Sequence, residues 1–189
     1  SNSMAAIAGA IGMGVPAEKI VSGLSTFGSD SVSNPGRFNI YEIGGIKVVL
    51  DYGHNIDGYR AVIDALKKIR TGRLIGVIGT PGDRTDSSTI TIGNMCGNCF
   101  DRIYIKEDKD KRGREPGEIA ALLEKGCKMG SIKASEVFIE LIEENALEKA
   151  ILNAVPGDIV IIFFEEYQPL IDVIERLTIE LSKDHQIIA

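Results

Sequence analysis

The chain has 189 residues, 44% hydrophobic and 25% charged, enough for one sizeable core plus a small appendage and too short for two full domains. A formal net charge of −6 argues against nucleic acid as the main partner, because phosphate backbones need a basic face. Three cysteines make no disulfide framework, no apolar run approaches the roughly 20 residues that span a bilayer, and no charged segment leads into an apolar one as in a secretory leader; the expected compartment is cytoplasmic, with no membrane.

Ser1-Asn2-Ser3-Met4 runs straight into Ala5-Ala6-Ile7-Ala8, a helical pattern already under way. Either the first residues are an appended remnant or the chain is a piece of a longer polypeptide. The second is expected, since a natural start at this point leaves the helix uncapped. Two short helices are predicted over about 3–13 and 17–26, Pro16 suiting the start of the second, followed by a Gly/Ser/Asn/Pro-rich linker over 27–36. A hairpin with arms 37–42 and 46–51 follows from Gly44-Gly45 and its β-branched flanks. Apolar strands over 74–79, 102–106, 136–139 and 158–164 then alternate with amphipathic helices over 57–69, 87–99, 115–129, 140–153 and 168–182. Near-continuous apolar strands such as Ile159-Val160-Ile161-Ile162-Phe163-Phe164 indicate burial on both faces. The expected fold is α/β: a doubly wound, mostly parallel, Rossmann-like sheet with an N-terminal hairpin and two short leading helices.

In open α/β sheets ligands sit beyond the carboxyl ends of the strands, and four such ends here are dense in polar groups. Asp51-Tyr52-Gly53-His54-Asn55 offers a carboxylate that can accept a ribose hydroxyl and an imidazole that can bind phosphate or orient the carboxylate. Asp51 and Asn55 equally suit capping of the helix near Asp57, and the two roles are compatible. Gly79-Thr80-Pro81-Gly82-Asp83-Arg84 combines permissive glycines with a guanidinium able to grip phosphate or carboxylate, or is a tight turn with a solvated arginine. The mixed-charge run Lys106–Glu115 reads by default as a solvated loop, with Arg112 and Arg114 around Gly113 as the candidates for holding a carboxylate. Glu165-Glu166-Tyr167-Gln168 places acids where they can hold an ammonium or simply suit a helix start.

Three patterns are set aside. Cys96-Gly97-Asn98-Cys99 lies late in a predicted helix without a second pair to complete a zinc site, so buried helix residues are expected. Gly12-x-Gly14-x-x-Ala17 follows a helix, not the strand that a dinucleotide fingerprint requires. His185 falls in the terminal tail and is read as solvated. The chain contains no G-x-x-x-x-G-K-[S/T] phosphate cradle.

Taken in order, Asn34-Pro35-Gly36-Arg37-Phe38, Asp51-Tyr52-Gly53-His54-Asn55 and Gly82-Asp83-Arg84 resemble the entrance G-R, the D-Y-[AG]-H and the G-D-R segments of the C-terminal domain of the Mur ligase superfamily. The resemblance covers nearly the whole chain, with Met4-Ala5-Ala6 loosely similar to the N-x-x-A-A pattern of the preceding ATPase domain. It implies that 1–33 is the helical tail of that domain plus a linker and that 34–189 is the C-terminal domain. Pro35–Asn39, Thr80–Arg84, Arg112-Gly113-Arg114 with Pro116-Gly117-Glu118-Ile119, and Glu165–Gln168 are similar to the cyanophycin synthetase branch. Lys111-Arg112-Gly113-Arg114 departs from the D-N-P-R of ligases that build muropeptides.

The resemblance implies an ATP-dependent amide ligase, in which a carboxylate is phosphorylated and the acyl phosphate is attacked by an amine. In this branch arginine joins the β-carboxylates of a poly-aspartate backbone, giving cyanophycin. Arg37 would then touch ATP phosphate, Asp51 the ribose, and His54 and Asn55 the nucleotide edge. Arg84 and Arg112 would grip the arginine α-carboxylate and Glu165 its ammonium. ATP and Mg²⁺ would be held mainly by the ATPase domain of the same polypeptide, so no catalytic residue and no metal ligand is expected in this chain, which would act as a lid. Homo-oligomers of the full-length enzyme are compatible with this reading. The alternatives are a Mur-type or folylpolyglutamate-type ligase domain with another acceptor, and a non-catalytic module that binds a nucleotide or amino acid.

Overall fold

The computed structural model describes residues 2–26, 34–133 and 136–187, with the side chains of Asn2 and of residues after Ser182 left aside. Most of the expected linker, and the side chain of His185, therefore lie outside the described residues. Helices α1 (Asn2–Gly12) and α2 (Ala17–Ser25) come first; then β1 (Asn39–Ile43), β2 (Ile46–Asp51), α3 (Ile56–Ile69), β3 (Leu74–Ile78), α4 (Asp86–Gly97), β4 (Arg102–Ile105), α5 (Glu118–Lys128), β5 (Val137–Ile139), α6 (Glu143–Leu152), β6 (Ile159–Phe163) and α7 (Tyr167–Ile187). Among the described residues the strands form one six-stranded sheet in the order β1-β2-β6-β3-β4-β5. β1 is antiparallel to β2, and every other pair is parallel.

The strand sequences explain this layering. Along β6, Ile159, Ile161 and Phe163 enter the core shared with α3, α4 and α5, while Val160 and Ile162 enter the core shared with α6 and α7. A period of two with both phases apolar requires a cover on each face. Every residue of β3 and β6 is buried, and each such Ile or Val contributes roughly 1.5–3 kcal/mol by leaving water. The Gly44-Gly45 turn has φ of 54° and 80°, the doubly left-handed geometry that matches hairpin twist.

Helix ends differ from the periodic reading where local chemistry intervenes. α5 begins at Glu118 rather than near residue 115, because Gly117 adopts φ +88° and Glu115-Pro116 belong to the preceding turn. α4 is capped by the Thr85 hydroxyl, which accepts the Ser88 amide, and stops at Gly97 rather than reaching Cys99. α7 continues well past residue 182. Among the described residues, no helix is long and apolar enough to cross a membrane.

Because β2, β6, β3 and β4 are parallel, Asp51, Phe163, Ile78 and Ile105 end on one edge of the sheet. The four polar loops singled out above therefore share that edge.

Candidate functional site

Asp51 ends β2 almost out of contact with water. Its Oδ1 accepts the Gly53 amide at 2.7 Å and its Oδ2 the Phe38 amide at 3.0 Å. Burial pushes this carboxyl up, against the opposing pull of the two amides and of Arg37. The side chain thus ties the strand end to the chain entering β1, where Phe38 holds a φ of +53°. Gly36 completes the entrance: a Cβ there would sit 2.5 Å from the Phe164 ring. The exposed Arg37 guanidinium lies over the Tyr52 ring at 5.2 Å, and Tyr52 meets His54 edge-on at 5.5 Å. His54 is held by its Nδ1, 3.1 Å from the Tyr52 carbonyl. Asn55 is a helix cap, its Oδ1 accepting the Gly58 amide at 2.8 Å.

The loops after β3 and β4 are joined to one another. Arg112, itself at φ +47°, pairs with Asp83 at 2.6 Å and holds that carboxyl below the usual carboxylate range. Arg114 donates to the carbonyls of Gly82 and Arg84 at 3.1 and 3.0 Å and pairs with Asp86 and Glu118. Its guanidinium is therefore committed to bracing the Gly82-Asp83-Arg84 turn. Gly82 is obligatory, since a Cβ would lie 2.1 Å from the Lys111 carbonyl. Arg84 behaves differently: its Nε is buried without a hydrogen-bond partner among the described residues, and the Asp83 carboxylate stands off at 3.9 Å. With His54, Asn55, Ile56, Asp57, Ser88 and Ile92 it lines a cavity of about 340 Å³ between the first turns of α3 and α4. Helix N-termini favour anions, as does the guanidinium.

The fourth loop meets the third. Glu165 accepts the amides of Lys109 and Asp110, so it borders Lys106–Glu115 and not the 340 Å³ cavity. The structure thus brings His54, Asn55 and Arg84 into one cavity, places Arg112 and Glu165 around the neighbouring loop, and leaves Arg37 stacked at the entrance.

Several residues at this edge escape a reading of sequence. Lys106, the first residue of a run that looks solvated, is only 1% exposed, its Nζ 2.6 Å from Asp108 and 2.5 Å from Glu143. Burial alone would lower its pKa, but the Glu143 and Asp108 carboxylates together raise it. Glu107 accepts the amides of Gly117 and Ala120 and pairs with Lys111. The Thr80 hydroxyl is buried without a partner among the described residues beside a cavity of about 10 Å³, room for a single water. The available signal was the position of Lys106 and Glu107 directly after an apolar strand. Among the described residues no cluster of His, Cys, Asp or Glu is arranged to hold a metal.

This fold and edge are those of a ligase-type α/β domain. The Mur ligase, glutamate ligase domain family matches residues 36–163, and the chain belongs to it. It is 39% identical to the cyanophycin synthetase of Synechocystis sp. (strain ATCC 27184 / PCC 6803 / Kazusa) over 176 residues, which are 93% of this chain and 20% of that protein. It is 33% identical to the UDP-N-acetylmuramoyl-L-alanyl-D-glutamate–2,6-diaminopimelate ligase of Alkaliphilus metalliredigens (strain QYMF) over 164 residues, covering 85% of this chain and 31% of that enzyme. Among solved structures, a murein peptide ligase of Psychrobacter arcticus 273-4 superposes with a TM-score of 0.66 at 19% identity, over 95% of this chain and 36% of that one. The chain spans about one fifth of the length of the cyanophycin synthetases it matches.

Proposed function

We propose that this chain is the C-terminal lid of an ATP-dependent amide ligase that adds arginine to aspartate side chains of a poly-aspartate backbone. Residues 34–189 form the lid, and 1–33 are the tail of the ATPase domain that precedes it in a cytoplasmic, multidomain polypeptide. The observation that carries the reading is Arg84: a guanidinium whose Nε has no hydrogen-bond partner among the described residues, lining a cavity bounded by His54 and two helix starts, in a chain 39% identical to the cyanophycin synthetase of Synechocystis. The exposed part of the guanidinium can take a carboxylate or phosphate from that cavity.

Arg84 is the primary anchor for the α-carboxylate of the incoming arginine, and Arg112 joins it by exchanging Asp83 for the ligand. Glu165, held by two amides on the neighbouring loop and outside that cavity, takes the ammonium once the loops close on the amino acid. On the nucleotide side Arg37 reaches phosphate from its perch on Tyr52, and His54 with Asn55 borders the base or ribose. Asp51 meets the ribose through the lone pairs that its two amide contacts leave free. ATP and Mg²⁺ would be held chiefly by the ATPase domain, where the γ-phosphoryl group would pass to the acceptor carboxylate with release of ADP, leaving phosphate to be displaced by the amine. The residues of this chain orient the amine, neutralise charge and exclude water when the lid closes.

Phosphate release by the full-length enzyme, measured against arginine concentration with a poly-aspartate primer and ATP, tests the assignment. Arg84→Ala should raise the arginine KM about 10-fold or more, as expected when a charged contact to substrate is lost, with ATP KM little changed. Unchanged arginine kinetics would remove Arg84 from the site, and turnover with a different amino acid but not arginine would redirect the specificity.

A further inference from the structure

The buried ammonium of Lys106 has no part in the roles above, yet it stands at the centre of a closed circuit of contacts. Its stem passes Gly79, just after β3, where a Cβ would lie 2.5 Å from Lys106 Cε and 2.8 Å from Cδ. Gly79 is pinned in turn by the Tyr59 hydroxyl, which donates to its carbonyl at 2.7 Å and accepts its amide at 3.1 Å. At the far end Nζ meets Asp108 in the loop after β4 and Glu143 at the start of α6. Glu143 accepts the amides of Glu165 and Glu166 at 2.8 and 3.1 Å. The Glu165 carboxylate returns to the loop after β4 by accepting the amides of Lys109 and Asp110. Every group in the circuit is thereby satisfied, and the circuit joins the loop that carries Arg112 to the loop that carries Glu165.

We propose that Lys106 is a positioning residue for the incoming amino acid, fixing from beneath the sheet edge the separation of Arg112 from the Glu165 carboxylate. The inference rests on the ligase reading, which assigns those two groups to the amino-acid carboxylate and ammonium. Two fixed charges must match the spacing of a zwitterion, and small misplacements of such contacts are felt strongly in binding. A lysine suits the task because its unbranched stem threads past a glycine and its head can serve two carboxylates from one point.

A buried ion triad that only stabilises the fold would show itself differently, so the test separates affinity from stability. In the full-length enzyme Lys106→Met keeps the stem and removes the charge; we expect arginine KM to rise about 10-fold while ATP KM stays within about 2-fold. Glu143→Gln, a milder change that leaves Lys106 paired with Asp108, should give a smaller shift in the same direction, and it carries the test if Lys106→Met does not fold. In the double variant, which leaves neither the ammonium nor the Glu143 carboxylate unpaired, melting temperature should recover part of its loss while arginine KM stays raised. Unchanged arginine KM in a folded variant, or KM that recovers together with melting temperature, overturns the positioning role alone. A wild-type enzyme that consumes ATP without dependence on any amino acid overturns the ligase reading and this inference with it.

Discussion

Glu107 is 3% exposed and draws its solvation from protein: the amides of Gly117 and Ala120 at 2.9 and 3.0 Å and the Lys111 ammonium at 3.1 Å. Burial by itself raises its pKa, but these donors prevail and the carboxyl sits below its ordinary value of 4.5. A folded-state pKa below the unfolded one means that the stabilisation is complete above the ordinary value and is lost as pH falls through the lower, folded one. Glu107→Gln should therefore cost about 1–3 kcal/mol at neutral pH, the penalty for weakening a buried charge-assisted network. The gap between the two proteins should narrow on acidification below 4.5, as wild-type Glu107 takes up its proton. Urea unfolding at pH 7 and at about pH 3 measures it; a gap independent of pH would show that the carboxylate charge is not what holds the α5 start. At this scale the sequence revealed side chains whose partners are near in the chain, such as Asn55 over Gly58. It concealed Lys106, whose burial depends on Gly79 and Glu143 from separate segments, and it did not separate Arg114, which braces the Gly82-Asp83-Arg84 turn, from Arg112, which pairs with Asp83.

α4 and α5 lie on the same face of the sheet and approach closely because glycines line their contact. A Cβ at Gly93 would stand 2.3 Å from the Leu123 carbonyl, and one at Gly126 would stand 2.2 Å from that of Ile90. The approach matters for the site, since α4 begins just after Arg84 and α5 just after Arg114, and Arg114 binds both helix starts through Asp86 and Glu118. In an open helix interior Gly→Ala stabilises by about 0.4–1 kcal/mol. Here the sign should reverse: Gly93→Ala is expected to destabilise by about 1–3 kcal/mol, as overpacking does. Thermal unfolding decides it, and a stabilised variant would show that the helices separate at little cost. The same packing explains the cysteines. Cys96 and Cys127 are fully buried, and burial pushes the Cys96 thiol well up and the Cys127 thiol up to about 12, so both stay protonated and unreactive. That Cys96 is core was legible from its place late in a helix, whereas Cys99 lies past the helix end and is only half-buried. The glycine contact itself was not, because periodicity reports which face is apolar and not how near the facing backbone comes.

For the molecule as a whole, the alternation of apolar strands and amphipathic helices carried nearly all of the architecture, including the parallel sheet, the antiparallel hairpin and the edge on which four loops converge. The strand order could not follow from alternation alone: β6, last in the chain, is inserted between β2 and β3, and only its doubly apolar sequence hints at a central position. The leading helices obey a different balance. No side chain described in α1 or α2 is buried, and Met4, Ile11, Met13, Val21 and Leu24 are exposed; among element pairs in substantial contact these helices meet only each other. Helices of 11 and 9 residues are marginal in water without a packed face. If residues 1–33 belong to the neighbouring ATPase domain, removing them should shift the melting temperature of this chain by no more than about 2 °C. In the intact chain the amides of both helices should exchange with solvent with little protection while those of β3 and β6 remain protected. A fall of more than about 5 °C on truncation, or protection of α1 and α2 equal to that of the sheet, would make the two leading helices part of the α/β unit and move the domain boundary ahead of them.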